Sequence, residues 1–456
     1  MSCKQPWPQT IAERLDVAVR THNISAIHTI IESAGADFDI NIPDNEGELP
    51  LHCAVLDGDI ETTRALLSHG ASANSTRCIQ HMGNYAESRA KYEHPLVLAA
   101  EMCNIPMVKL LLSSGANPNG VTVYRTLNLE SGNSKVTQSI ASIYLAVERS
   151  DLDLVKILLL HGATPDCRGP YGNTVFHIIA ACTSWRRAVN GTQSAMFPVT
   201  DCEEQSDILR LLLKSCPMSE TLKLRNVDGY TALRNAVLKG CITKVQLLLE
   251  AGLDPNKSQC PMAMDVHGGP LNIAIHSGFD DIAHSLLYNG ANLNLCNFWG
   301  HTPLLSIMLR CQSADVMNAT LIVHGASVKV KDHRGFTMLG ICTRNSMEDC
   351  DETCRLLFYA GCSVWEEYWQ RPFDHAQMRE EGICHWLGTR RNNPHTLKDL
   401  SRIHIRNFLR ERVTNGRSIV GSILNLPLPR LLQDHLLLKD FVDIDCSPPR
   451  TRVTPN

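Results

Sequence analysis

Four cysteines in the last third of the chain, Cys342, Cys350, Cys354 and Cys362, are the first residues whose type and spacing could do chemistry. Four thiolates suit tetrahedral zinc. Cys350 and Cys354 lie four apart and would share one helix face. Zinc sites of this kind commonly pair their cysteines two residues apart, and the chain contains no C-x2-C pair. Cys354 also falls inside the apolar run CRLLFYAG, where ordinary packing accounts for a thiol. A Cys-His neighbour pair occurs at Cys384 and His385, but neighbours on a helix do not face each other. His52, in the phrase LPLH, satisfies turn backbone groups more readily than it serves as a base. The sequence has no Walker A phrase, no kinase signature and no H-E-x-x-H. The expectation is a protein without a catalytic constellation, a metal or a cofactor.

Composition narrows the class further. The chain has 456 residues, too many for one typical compact domain unless it is a repeat array. Charged residues are 20% and hydrophobic ones 44%, as in ordinary soluble proteins. A net charge of -4 argues against a general nucleic-acid binder, which needs a basic surface. The start MSCKQPWPQTIAERLD has no apolar core of signal-peptide length. No stretch approaches the roughly 20 apolar residues of a membrane span. The 18 cysteines sit in segments such as LHCAV and IIAAC, which reads as free thiols buried in a reducing compartment, cytosol or nucleus.

Whatever the chain presents must be positioned by its repeats. An apolar run with paired leucines, followed by Gly-Ala or a near variant, recurs as TRALLSHGASAN, VKLLLSSGANPN, VKILLLHGATPD, VQLLLEAGLDPN and AHSLLYNGANLN. Several of the glycines lie 35 to 38 residues apart. A second phrase recurs out of phase with it, as EGELPLHCAV, DGYTALRNAV and WGHTPLLSIM. Its glycine suits a tight turn, and its proline is tolerated in the first turn of a helix. The two phrases together resemble the ankyrin repeat, whose period is about 33 residues. Nine units are expected, in an all-α solenoid of helix-turn-helix units with β-hairpin tips. The array should occupy residues 1–366, with polar insertions near 77–93 and 184–207 leaving as loops on one face. A linker or cap follows at 367–393, and a flexible tail closes the chain at 442–456.

Between them, residues 394–441 carry a different pattern. Thr396 is a plausible helix N-cap. Leu397, Leu400, Ser401, His404, Ile405, Phe408 and Leu409 then recur at steps of three and four, giving one mostly apolar face. Lys398, Asp399, Arg402, Arg406, Arg410 and Arg412 make up much of the rest. Gly416 ends this helix, and Ser418 is placed to cap a short second one, SIVGSIL. Pro427 forces an extended connector, and Pro429 suits the first residue of a third helix. Leu431 and its neighbours are expected to pack on the first helix.

The phrase T-L-x-x-x-S-x-x-x-I, followed at a distance by L-P-L-P-x-x-L, resembles a SOCS box. Behind ankyrin repeats, it is similar to the ankyrin-repeat and SOCS-box family of ubiquitin-ligase substrate receptors. The resemblance implies a three-helix box that recruits elongin B/C through Leu397, Ser401 and Ile405. It also implies recruitment of cullin-5 and its RING protein through Leu426, Pro427, Leu428 and Pro429. A protein substrate would be held on the ankyrin surface, with no nucleic acid and no membrane involved. The family phrase usually has Cys where this chain has Ser401. A buried, unpaired hydroxyl costs about 1–3 kcal/mol, a cost reduced if the serine bonds to the carbonyl four residues back. From the residues alone, a plain ankyrin scaffold or inhibitor that recruits no ligase is the alternative.

The substrate surface is marked only by aromatics at repeat tips. Most units place polar residues before the hairpin glycine, but Phe298 and Trp299 precede Gly300, and Tyr171 precedes Gly172. Exposed aromatics are enriched at interface hot spots.

Overall fold

The paired-leucine phrase becomes the second helix of each repeat, and its inner leucine is what the repeats are built on. Leu66, Leu111, Leu158, Leu248 and Leu286 are each 0% exposed. The computed structural model describes residues 7–35, 38–43, 47–81, 87–128, 134–181, 184–186, 197–199, 203–216, 220–257, 268–309, 315–332, 334–344, 351–362, 395–414 and 416–439. The expected linker at 367–393, the tail at 442–456 and most of the second insertion lie outside them, as do Cys350, Cys384 and His385. The chain divides into two units, Met1–Val227 and Asp228–Asn456.

The first unit contains helices α1 (Trp7–Arg20), α2 (Ile24–Ala34), α3 (Pro50–Leu56), α4 (Ile60–Ser68), α5 (Pro95–Glu101), α6 (Ile105–Ser113), α7 (Ser142–Glu148), α8 (Leu152–Leu160), α9 (Val175–Ala181) and α10 (Glu203–Ser215). The second contains α11 (Ala232–Leu238), α12 (Ile242–Glu250), α13 (Pro270–Ser277), α14 (Asp280–Tyr288), α15 (Pro303–Leu309), α16 (Asp315–His324), α17 (Met338–Arg344) and α18 (Asp351–Tyr359). Three short helices follow: α19 (Leu397–Phe408), α20 (Val420–Leu424) and α21 (Arg430–Leu436). Up to α18 the helices fall into nine consecutive pairs among the described residues.

Short polar residues set where several of the pairs turn. Asp59 accepts hydrogen bonds from the N–H groups of Glu61 and Thr62, Asn104 from Met107, and Asp151 from Leu154. Each thereby caps the second helix of its pair. Asparagines four residues beyond the closing glycine then tie one repeat to the next. Asn74 Oδ1 accepts from Asn117 N at 2.6 Å while its amide donates to Gly115 O at 3.0 Å. Asn119 does the same to Thr164 N and Gly162 O. In the second unit, Asn256 bonds Asn292 N and Gly290 O in the same way. These amides occupy backbone groups that a helix end leaves open.

The first insertion is not a loop. It forms strands β1 (Arg77–His81) and β2 (Glu87–Glu93). With β3 (Val121–Asn128) and β4 (Ser134–Ala141), these make one antiparallel sheet in the order β1-β2-β3-β4. Polar residues hid the alternation, because RCIQH and ESRAKYE carry charged and polar side chains where a half-buried strand would show apolar ones. At its base, Arg77 pairs directly with Glu93 across the strands. The Arg77 guanidinium reaches both Glu93 and Glu48, and Lys91 also pairs with Glu93. Burial alone would raise the Glu93 pKa, but hydrogen bonds from Lys91 and Arg77 hold it below the ordinary carboxylate value. In the second insertion, Ser184–Arg186 (β5) pairs with Phe197–Val199 (β6).

His52 is fully buried, and its Nε2 lies 3.0 Å from Glu93 O. Burial pushes its pKa down to about 4, so the ring is a neutral partner to that carbonyl. None of the ten described cysteines is in a disulfide. Five of them (Cys53, Cys241, Cys342, Cys354 and Cys362) are buried, but Cys103 and Cys296 are exposed, so burial holds for only part of the set. Among the described residues, no group of three or more His, Cys, Asp or Glu could hold a metal ion, and no helix is long and apolar enough to cross a membrane.

The Glu93 cluster sets a pH dependence. A lowered folded pKa contributes stability that is present above the unfolded pKa and lost as pH falls through the folded one. Glu93→Gln should destabilise the protein by about 3 kcal/mol near neutral pH, because it strips a partner from the buried Arg77. Thermal melts from about pH 7 to about pH 3 should show the wild type converging on the variant as Glu93 takes up its proton.

Candidate docking site

The helix α19 starts with a reciprocal cap. Thr396 Oγ1 accepts from Asp399 N at 3.2 Å, and Asp399 Oδ2 accepts from Thr396 N at 3.2 Å. Thr396 is the cap expected from the sequence; its partner Asp399 was not, although a short acidic residue three places after a Thr was the available signal. Burial would raise the Asp399 pKa, but the Thr396 hydrogen bonds and the nearby Arg402 charge hold it low. Asp399 Oδ1 in turn accepts from Arg402 Nη2 at 2.8 Å.

Amphipathicity alone would turn the apolar face of α19 inward. The structure turns it outward: Leu397 is 81% exposed, Leu400 51%, Phe408 55% and Ile405 37%. The buried face is the arginine face. Arg402 Nη2 donates to Tyr359 O at 3.2 Å, and its guanidinium lies 5.3 Å from the Tyr359 ring. Arg406 Nη2 donates to the carbonyls of Ile322 and Val323, and its Nη1 donates to Leu436 O at 2.6 Å. Tyr359 ends α18, and Ile322 and Val323 lie in the last turn of α16. The last carbonyls of a helix lack intrahelical donors and carry partial negative charge. A guanidinium fork meets both needs, and it remains charged under all ordinary conditions.

Two repeat glycines make room for this. Gly325 has φ +100, and an added Cβ there would lie 2.9 Å from Ile419. Gly361 has φ +98, and an added Cβ would lie 2.8 Å from Ile403. Each is needed both for the left-handed backbone and for the close approach. Ile419 N donates to His324 O at 2.9 Å, and Leu293 N donates to Gly416 O at 2.9 Å. Ser418, expected as a cap, accepts from Val420 N, and its Oγ lies 2.7 Å from His324 Nδ1. Burial lowers the His324 pKa to about 4, with His284 and Arg406 acting the same way, so the imidazole stays neutral.

Ser401 is exposed on the apolar face, and its Oγ donates to Leu397 O at 2.8 Å. Leu409, expected on that same face, is buried instead. Past Phe408 the backbone widens into a π-turn over Leu409–Val413, which rotates the following side chains out of phase.

The Leu-Pro-Leu-Pro segment is an exposed, tightly turned connector. Leu428 N donates to Leu426 O at 2.8 Å, a three-residue turn around Pro427. Gln433 Nε2 donates to Leu426 O at 2.9 Å and Leu424 O at 3.2 Å, filling carbonyls the prolines cannot serve. Pro427, Leu428 and Pro429 are exposed, and Leu426 is half-buried. Pro429 stands one place earlier than expected, as the N-cap of α21. The packing expected of Leu431 is not found: Leu431 is 78% exposed and Leu432 45%. His435, Leu436, Leu437 and Leu438 are buried in their place. Arg406 holds the C-terminal end of α21 through Leu436 O, so the first turn of that helix points away.

Phe298 and Trp299 are exposed on a tip of the second unit, with ring centroids 6.3 Å apart in edge-to-face geometry. Tyr171 is exposed on the first unit, at φ +57, where its carbonyl accepts from Val227 N.

The family model for ankyrin repeats matches residues 15–122, 143–259 and 271–367, and that for the SOCS box matches 393–437. The chain is similar to mouse "Ankyrin repeat and SOCS box protein 16", at 28% identity over 239 residues, which is 47% of this chain and 46% of the relative. The human protein of the same name matches at 28% over 232 residues, with the same coverage. Mouse "B-cell lymphoma 3 protein homolog" matches at 38% over 109 residues, 23% of each chain. The chain thus spans less than half the length of the curated relatives it matches.

Arg406→Met should lower stability by about 2–3 kcal/mol, since it strands buried carbonyls on α16 and α21. Limited proteolysis should then cut first within 395–439. Leu397→Ala, on the exposed face, should change the melting temperature little.

Proposed function

The chain belongs to the ankyrin repeat and SOCS box family, and from that premise we propose that it is the substrate-recognition adaptor of an elongin B/C–cullin-5–RING ubiquitin ligase. The observation that carries this reading is the outward apolar face of α19. A soluble protein gains nothing by exposing Leu397, Leu400, Ile405 and Phe408 on one helix unless a partner covers them. Elongin C takes that face, with Leu397 and Ile405 as its apolar contacts and Ser401 between them. The exposed turn at Leu426, Pro427, Leu428 and Pro429 takes cullin-5. The chain itself performs no chemistry. It holds a protein substrate on its ankyrin surface, where Phe298, Trp299 and Tyr171 are the contact candidates, while an E2 on the RING protein transfers ubiquitin.

The serine at 401 is compatible with this role because its proton already has an acceptor at Leu397 O. Covering it by a partner therefore leaves no unsatisfied donor.

Coexpression with elongins B and C should yield a stable complex that then binds cullin-5. Leu397→Asp or Ile405→Asp should abolish elongin copurification without lowering the melting temperature, because both side chains are exposed. Unchanged copurification of Leu397→Asp would overturn the assignment. Leu428→Asp should retain the elongins and lose cullin-5. Ser401→Cys should alter elongin affinity by less than about threefold, or about 0.6 kcal/mol.

A further inference from the structure

Two adjacent tips of the second unit share one construction but differ in chemistry. In the first, Asn297 Oδ1 accepts from Trp299 N at 3.0 Å and His301 N at 2.9 Å, and Asn297 N donates to His301 O at 2.9 Å. In the second, Asp332 Oδ1 accepts from Arg334 N at 2.9 Å and Phe336 N at 2.7 Å, and Asp332 N donates to Phe336 O at 3.0 Å. The segments leading into them are joined where Ser327 N donates to Asn294 Oδ1 at 2.9 Å. Each tip is thus fixed by hydrogen bonds within itself, and little ordering remains for a ligand to impose.

The first tip presents Phe298 and Trp299, with ring centroids 6.3 Å apart, and the half-buried His301 ring lies 6.4 Å from that of Trp299. It contains no Lys, Arg, Asp or Glu. The second presents Lys329, Lys331 and Arg334, all exposed. Its one acidic residue, Asp332, has an oxygen committed to its own turn. The pair therefore offers an apolar platform beside a cationic one, in a chain whose net charge is -4.

We propose that these two tips bind a short acidic segment of the captured protein that carries a bulky apolar side chain. The apolar group lies on Phe298 and Trp299, and the flanking carboxylates meet Lys329, Lys331 and Arg334. Rings of this type are common interface anchors, and complementary charge sets the register around them. The proposal rests on the receptor reading above and names the class of substrate that site takes.

The test uses the full chain and a fluorescein-labelled peptide of one leucine flanked by glutamates, followed by anisotropy. Binding should weaken as salt rises. Trp299→Ala should weaken it roughly tenfold or more, and Lys331→Glu roughly tenfold. Both side chains are exposed, so melting temperatures should hold. A peptide with lysines in place of the glutamates should not bind. Equal binding of the two peptides, or of neither, overturns the proposal. So does tighter binding of a labelled single-stranded oligonucleotide, or self-association of the chain that Trp299→Ala abolishes. Elongin copurification is measured on the same preparation. Elongins bound without peptide refutes the substrate class alone, whereas peptide bound without elongins refutes the receptor reading alone.

Discussion

Two buried guanidinium groups hold the C-terminal module in place. Arg402 and Arg406 lie on the face of α19 that turns inward, and they spend their hydrogen bonds on carbonyls at the ends of α16, α18 and α21. A helix end needs donors, and a positive charge there also opposes the helix dipole. Because these ends can take arginine, the inner face of α19 need not be apolar. The leucine face is then left exposed. The orientation of the whole module follows from which residue type best satisfies exposed peptide carbonyls.

The glycines that close the repeats serve the same arrangement. Gly325 and Gly361 end repeat helices with a left-handed residue, as the repeat requires. Their missing side chains also admit Ile419 and Ile403 of the module. Both ends of the contact are set by local rules of helix termination, so a repeat array can carry such a module without specialised core residues.

In the first unit, a buried charge cluster does the comparable work. Arg77, Glu93, Glu48 and Lys91 bind the base of the four-stranded sheet to the segment that leads into α3. Replacing such a cluster with apolar residues need not weaken a protein, but removing one member does, because the rest are left buried without a partner. Glu93 also offers its carbonyl to His52, so side-chain and backbone ties converge on one residue.

The family and the helical repeat were legible because they rest on local signals that recur: paired leucines, closing glycines, Pro in a first turn, and the Leu-Pro-Leu-Pro phrase. The apolar face of α19 was legible too, through its three- and four-residue spacing. What the sequence alone did not decide was which face turns inward. Periodicity reports that a helix has two faces; it does not report that carbonyls at 322, 323 and 359 wait for arginines at 402 and 406. The same limit hid the sheet at 77–141, whose strands are stabilised by partners across the strands rather than by neighbours in the chain. It also misplaced Leu431, because the end of α21 that packs is chosen by a contact 30 residues away, from Arg406 to Leu436. Local propensity and spacing write the elements into the chain. Contacts between residues far apart in sequence select their faces, and only the folded chain contains those contacts.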